Sequence, residues 1–382
     1  MKMSAQKFRW WMFGVPVALI VLAGAIVALI LNATNAILNS ADGELTEVIL
    51  DPTAEGYEIY ITPTPSYLGI VEDQSGELIS VVVISLFPND IGGSLIVLPS
   101  ELLIGEEMTA GEIYNINGVV GLEQSVGDYF TVGFDSTGVL SNDFWIEHFS
   151  QIGEITVEID DPLTTSEDGQ QIVVFDSGNI SVAPERLDDF IAWENPSESP
   201  YNRWVRNQRF WSSWVDLVRT TDIDLENSDS SEPQLMRMLA ALGRGEMLLF
   251  EPPLVEESSS RASFSTNRDD MKSLILQMIP FPTSASSGSR PKVKLLDGIG
   301  GLDLPNSYVP PLVASGAQIL LLGNAETYGV DKSQIIYHNE SLLPLVNDFS
   351  NAISGAELTY DPITETAIDV TVIIGRNSLG LD

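Results

Sequence analysis

The sequence predicts an α/β protein in three parts: an N-terminal transmembrane helix, a central α/β sandwich domain with a mixed sheet flanked by helices, and a small C-terminal α/β domain. Three features predict it. Residues 10–31 carry no charge. Short β-branched runs alternate with stretches of helical spacing from residue 58 onward, as in a layered α/β sandwich. A strand–helix–strand pattern then resumes beyond a Ser- and Pro-rich stretch.

The charge-free run from Trp10 to Leu31 is long enough to cross a bilayer core. A secretory signal peptide has a shorter apolar core that ends at a small-residue cleavage site. Here Ala23-Gly24-Ala25 is followed by more apolar sequence, which favours an uncleaved anchor. Lys2, Lys7 and Arg9 precede the run, and Asp42, Glu44 and Glu47 follow it. By the positive-inside rule, residues 1–9 form a cytoplasmic tail and the bulk of the chain is extracytoplasmic, held at the cell membrane as a single-pass protein. Trp10 and Trp11 sit where an interfacial aromatic anchor belongs. Residues 32–53 read as a tether that spans at most about 75 Å.

The central domain is expected over 54–250. Ile79 to Leu86 and Ser94 to Leu98 are apolar, β-branched runs separated by Pro-Asn-Asp and Gly-Gly turns, and they read as central strands. Residues 118–130 and 139–151 have helical spacing, the second with Phe144, Ile146 and Phe149. Glu154 to Ile159 alternates like a strand and stops at Asp160-Asp161-Pro162. A short helix starts at Ala183-Pro184-Glu185. A longer one starts at Ser199-Pro200, an N-cap serine followed by proline at the first helical position. On the longer helix Trp204, Gln208, Trp211, Val215 and Val218 share a face expected to enter the core. Residues 251–291 are rich in Ser and Pro and read as a linker with a short helix. The last domain, 292–376, opens with the strand Lys292 to Asp297, continues with a helix from Leu342 to Ile353, and closes with the strand Ile368 to Gly375.

Composition narrows the function. A net charge of −36, with 54 acidic against 18 basic residues, repels nucleic acid, which needs a basic footprint. Acidity spread this evenly fits solubility, as in a salty habitat, better than one cationic ligand. The chain has no Cys, so disulfides and thiolate metal sites are excluded, while the compartment stays open. No G-x-S-x-G, Walker loop or H-E-x-x-H occurs, and His148 and His338, the two histidines, read as ordinary surface or helix residues. The acidic pairs Asp160-Asp161 and Asp269-Asp270 read as turn and helix-start residues. Against this background Arg203, Arg206, Arg209 and Arg219 form a cationic cluster. The first three step round the helix opposite the Trp stripe. Arginine grips phosphate through a planar fork, and the competing reading is a solvated face paired with nearby acids.

The stretch Tyr201-Asn202-Arg203-Trp204-Val205-Arg206-Asn207-Gln208 resembles the R-x-x-R-Q-Q-like segment of the LytR-CpsA-Psr domain. Other landmarks fall in the same order. The strand pair from Glu77 to Pro99 is similar to that family's early strands, 118–130 to its first helix, and Ile152-Gly153-Glu154-Ile155-Thr156-Val157 to its Gly-Gly-Val-x-Val strand entry. Val293-Lys294-Leu295-Leu296-Asp297-Gly298-Ile299-Gly300, Gly323-Asn324-Ala325 and the closing 369–375 strand resemble the LytR C-terminal domain. Together the two resemblances span about 50–376.

The resemblance implies a cell-envelope protein that binds a polyprenyl-(pyro)phosphate-linked wall glycopolymer. An active member would be a phosphotransferase attaching that polymer to the cell wall during cell wall biogenesis in a bacterium. It places Arg203, Arg206, Gln208 and Arg209 on the substrate, Arg203 and Arg206 in catalysis, and Glu77 on a metal, Mg²⁺, in the position of the family's early Asp. The chain departs from the pattern elsewhere: Pro99-Ser100-Glu101 replaces Pro-Arg-Asp, and Ala192-Trp193-Glu194 falls near Tyr-x-Arg. Two expected arginines are missing, which points to catalytic degeneracy. The alternative is a non-catalytic scaffold that organises envelope protein partners. A transporter's solute-binding protein ranks last, because such proteins carry a lipobox Cys.

Overall fold

The computed structural model describes residues 49–379, apart from 106, 197, 222–224, 226–229, 258–261 and 363–366. The expected cytoplasmic tail, the 10–31 membrane helix and most of the tether lie outside the described residues. Among the described residues no helix is long and apolar enough to cross a membrane.

Two compact units are present: one comprises Tyr60–Pro291 with Asp303–Leu320, and the other 49–59, Lys292–Leu302 and 321–379. In chain order the elements begin with β1 (Glu58–Tyr60), β2 (Ser66–Glu72), β3 (Leu78–Leu86) and β4 (Gly93–Pro99), then helix α1 (Ala110–Phe130), β5 (Ser136–Leu140) and α2 (Asn142–Ile152). Two hairpin-like pairs follow, β6 (Ile155–Ile159) with β9 (Gly178–Val182) and β7 (Leu163–Glu167) with β8 (Gln170–Phe175). Helices α3 (Leu187–Ala192), α4 (Pro200–Thr220) and α5 (Pro233–Arg244) lead to β10 (Met247–Phe250), the short β11 (Val255–Glu256) and β12 (Phe264–Ser265), and α6 (Arg268–Met278). The remainder is β13 (Lys292–Asp297), α7 (Leu304–Ser307), α8 (Val309–Ala314), β14 (Gln318–Asn324), β15 (Gln334–Tyr337), α9 (Leu343–Ala352), β16 (Glu357–Tyr360) and β17 (Val370–Ile374).

The first unit is built on a five-stranded mixed sheet of order β10-β4-β3-β2-β5. β2, β3 and β4 are antiparallel neighbours, whereas β5 and β10 join the edges in parallel. Every residue of β3 is buried, as a β-branched strand covered on both faces must be. Its side chains alternate between two cores from Val81 onward, and a register shift at Ile79, which is skipped in the pairing with β2, reverses the alternation before it. Ile79, Val82 and Ile84 face the side covered by α2 to α5, and Leu78, Val81 and Val83 face the side covered by α1 and α6. Mixed sheet and flanking helices match the fold class expected from sequence.

Two local expectations differ from the structure. The helical spacing assigned from 139 begins only at Asn142, because Ser136–Leu140 pairs in parallel with β2 as an edge strand. The short helix expected within the 251–291 linker is present as α6, but it packs into the core, with Met271, Ile275 and Met278 buried at i, i+4 and i+7. An ordered return follows: the Phe281 N–H donates to Thr64 Oγ1 at 3.0 Å, and Thr283 bridges Gly133. Backbone pairing of that kind leaves no side-chain period to read.

The second unit's sheet has the order β1-β14-β13-β17-β15-β16. The Asp297 carboxylate organises the Gly-rich loop after β13 by accepting the N–H groups of Ile299, Gly300 and Leu302, each at 2.8 Å.

Candidate functional site

The arginine cluster sits on α4. Ser199 caps this helix by accepting the Tyr201 N–H at 3.2 Å, and Trp204 pins it to the sheet by donating to the Val97 carbonyl at 2.7 Å. The Trp204, Trp211 and Val215 stripe enters the core as expected, but the opposite side does not face solvent. Gln208 is buried with the stripe, and Arg203, Arg206 and Asn207 are buried as well, because α3 and the β6–β9 pair pack where a solvated face was expected.

The four candidate side chains on α4 diverge. Arg203 lines a polar cleft of about 580 Å³ together with Glu77, Asp73, Ser100, Glu101 and Glu194. Arg206 and Arg209 line a different, smaller pocket of about 210 Å³ with Asp160, Asp161 and Glu198. Gln208 lines neither, and its side-chain nitrogen is buried without a hydrogen-bond partner. Glu77 stands exposed at the rim of the Arg203 cleft, held by the turn in which Asp73 Oδ1 accepts the Glu77 N–H at 3.0 Å.

Arg203 is already neutralised. Its Nη2 donates to Glu101 Oε1 and, at 3.3 Å, to Ser100 Oγ, while its Nη1 lies 2.6 Å from Glu194 Oε1. The charge pattern is therefore one guanidinium among four carboxylates: Asp73, Glu77, Glu101 and Glu194. Both partners of Arg203 come from stretches where the family resemblance calls for other residues. Glu101 stands in Pro99-Ser100-Glu101, and Glu194 falls where an arginine is expected. Glu101 Oε2 is buried and unpartnered.

Arg206 is more enclosed. Its Nη2 donates to the Trp193 carbonyl, its Nη1 lies 4.0 Å from Glu198, and its Nε has no partner. Burial pushes its pKa down to about 10, with Glu198 opposing the shift and Arg203 adding to it. Arg209 is partly exposed and donates to Asp160 at 2.7 Å, which holds that carboxyl below its usual range. Asp269 and Asp270 start α6, where Asn267 Oδ1 accepts both of their N–H groups.

A second acidic pocket of about 470 Å³ shares Asp73, Ala192 and Glu194 with the cleft and adds Asp188 and Asp189. The Asp188 carboxyl is pushed up to about 6, first by burial and then by the charges of Asp73, Asp189 and Glu72, while its hydrogen bond from the Gln74 N–H opposes the rise. Among the described residues no group of three or more His, Asp or Glu side chains is arranged to hold a metal ion. A hard divalent cation needs fewer protein ligands when the bound anion supplies phosphate oxygens. The unpartnered Glu101 Oε2 and the rim carboxylate of Glu77 are donors of that kind.

The histidines differ from each other. His338 is exposed, with Nδ1 2.9 Å from the Asp361 carbonyl. His148, expected as an ordinary surface or helix residue, is on a helix but buried, packed between Phe144, Phe149 and Trp214.

No family model and no curated protein matches the sequence. Solved structures similar to the chain include Bacillus subtilis TagV, at 12% identity and a TM-score of 0.45, covering 58% of this chain and 100% of that one. Bacillus subtilis TagT is similar at 12% identity and a TM-score of 0.42, covering 63% and 96%. TagT bound to LIIa-WTA is similar at 13% identity and a TM-score of 0.43, with the same coverage. These structures belong to the LytR-CpsA-Psr family that the sequence resembles.

Proposed function

We propose that the chain is a divergent LytR-CpsA-Psr-type protein of the cell envelope, anchored by residues 10–31, that binds the phosphate end of a polyprenyl-linked wall glycopolymer without transferring it. One observation supports this: Arg203 and Glu77, two of the residues the resemblance assigns to the site, line a single cleft with Glu101, apart from Arg206 and Arg209, and Arg203 is neutralised there by Glu101 and Glu194. Pyrophosphate carries at least two negative charges, and one paired arginine among four carboxylates opposes its entry. Binding therefore depends on Mg²⁺, held by Glu77 and Glu101 together with the ligand's own oxygens. Phosphoryl transfer rests on positioning and charge neutralisation, which this cleft supplies poorly.

The test is binding of a polyprenyl-pyrophosphate glycan to the full chain in detergent with Mg²⁺, alongside an assay for transfer to peptidoglycan. Arg203→Ala should weaken binding about tenfold or more, the effect of losing a charge-assisted contact. Arg209→Ala, on the other pocket, should leave binding unchanged. Binding by the wild type that is indifferent to Arg203→Ala would sink the proposal, and efficient transfer would refute the claim of degeneracy. Glu194→Gln frees one edge of the Arg203 fork and should tighten binding by about threefold, a modest gain because Glu194 is half-exposed.

The scaffold reading is favoured by the same ion pairing: a cleft whose arginine is committed to Glu101 and Glu194 serves as structure as readily as a binding site. Under that reading the chain recovers the same envelope partners with Arg203 removed.

A further inference from the structure

Helix α1 is broken at Gly118, where φ is +65° and ψ is −162°, a conformation open to glycine and strained for any other residue. The break separates a first half, capped by a reciprocal Thr109–Glu112 box, from a second half that runs to Phe130. Ile113 and Leu122 turn into the core on either side of the break, and the Tyr114 hydroxyl donates to Glu72 at 2.6 Å. Outward from the same break stand Ile116 and Val120, 70% and 77% exposed. From residue 113 to 122 the chain carries no charge at all, in a protein whose net charge is −36. The patch is continuous with the cleft, because Gly111 and Asn115 of the same half-helix line it.

We propose that the Gly118 break is a membrane-contact device, with Ile116 and Val120 entering the outer leaflet so that the Arg203 cleft opens at headgroup level. It rests on the proposal that the cleft takes a lipid-borne phosphate. A bilayer is the occupant that suits these residues. Two exposed apolar side chains on an uncharged segment gain from leaving water. Two side chains alone bind a membrane weakly. The 32–53 tether, at most about 75 Å long, supplies the high local concentration of bilayer that makes a weak contact sufficient.

Because the chain lacks Cys, single substitutions give unique labels. Ile116→Cys and Val120→Cys, nitroxide-labelled in the full chain and reconstituted into phosphatidylcholine vesicles, are compared with Val173→Cys, an exposed apolar site on β8. Labels at 116 and 120 should be about threefold or more less accessible to a water-soluble nickel relaxer than the label at 173, and more accessible to oxygen. Equal nickel access at all three sites overturns the proposal. So does failure of the chain to sediment with the vesicles. Protection that arises only on adding polyprenyl pyrophosphate also overturns it, in favour of contact with the ligand's tail. Magnesium-dependent pyrophosphate binding, measured on the same samples, separates this result from the cleft: wet labels with binding intact reject the membrane contact alone, and dry labels without binding reject the cleft alone.

Discussion

Replacing Arg290 with alanine is expected to lower the stability of the first unit by about 3 kcal/mol, because several buried acceptors lose their donor at once. Arg290 is 2% exposed and has no carboxylate beside it among its hydrogen-bond partners. Its Nη1 donates to the carbonyls of Val313 and Ala317, both at 2.9 Å, and its Nη2 to Thr131 Oγ1 at 3.0 Å, with Nε directed at the Thr131 carbonyl. Thr131 is the left-handed C-cap of α1, and Val313 lies in the last turn of α8. One guanidinium therefore satisfies the carbonyl-rich ends of two helices, where a cation is also favoured by the helix dipoles. Burial pushes its pKa down to about 10, so the desolvation penalty is real and offsets part of the gain. The melting temperature should fall by roughly 10 °C for a unit of this size. Arg290→Lys should recover little, since one ammonium group cannot reproduce the planar fork that reaches Thr131, Val313 and Ala317 together. Wild-type melting in both variants would show that the acceptors are satisfied by another route.

Acid should destabilise the same unit through His148. Burial among aromatic rings lowers its pKa from 6.5 to about 4, and Nε2 has no partner. The folded state thus holds it neutral while the unfolded chain protonates it. The stability this provides is complete above pH 6.5, is lost progressively as pH falls toward 4, and amounts to about 3 kcal/mol at most. Asp188 has the opposite sign over nearly the same window. Its folded pKa is raised from 3.8 to about 6, so the folded state binds the proton more tightly and gains stability as pH falls through 6. Denaturant unfolding at pH 7 and pH 4.5 should separate the two. His148→Phe removes the loss and exposes the Asp188 gain, leaving the variant relatively more stable at the lower pH. Asp188→Asn raises stability at pH 7 and steepens the acid limb. A wild-type acid limb in His148→Phe would assign the loss to other groups.

Much of this fold is visible in the residues. The β-branched runs of β3 and β4 and the Ser199-Pro200 start of α4 announce themselves, because a strand buried on both faces has no polar alternation and a cap has its own chemistry. The first half of α1 was missed, although Thr109-x-x-Glu112 is a capping box, because Gly118 interrupts the period that would have extended the helix backward. The burial of Arg203 and Arg206 was hidden for a different reason. A charged face reads as solvated unless its covering elements are known, and α3 and the β6–β9 pair are brought there only by the tertiary fold. Glu101 and Glu194 could be read as departures from a motif. That both close on Arg203 could not, since Glu101 is 102 positions away along the chain.

With Ser100 and Glu194 at the positions of the two missing arginines and Arg203 paired to Glu101 and Glu194, the proposed cleft should accept phosphate only together with a divalent cation. Calorimetric titration of the full chain with inorganic pyrophosphate, with and without Mg²⁺, tests it directly when the Glu194→Arg variant is run beside the wild type. The expected result is that the wild type binds only with Mg²⁺ and that Glu194→Arg, which reverses one charge beside Arg203, also binds in its absence. Equal wild-type affinity with and without Mg²⁺, unaltered in Glu194→Arg, would contradict it.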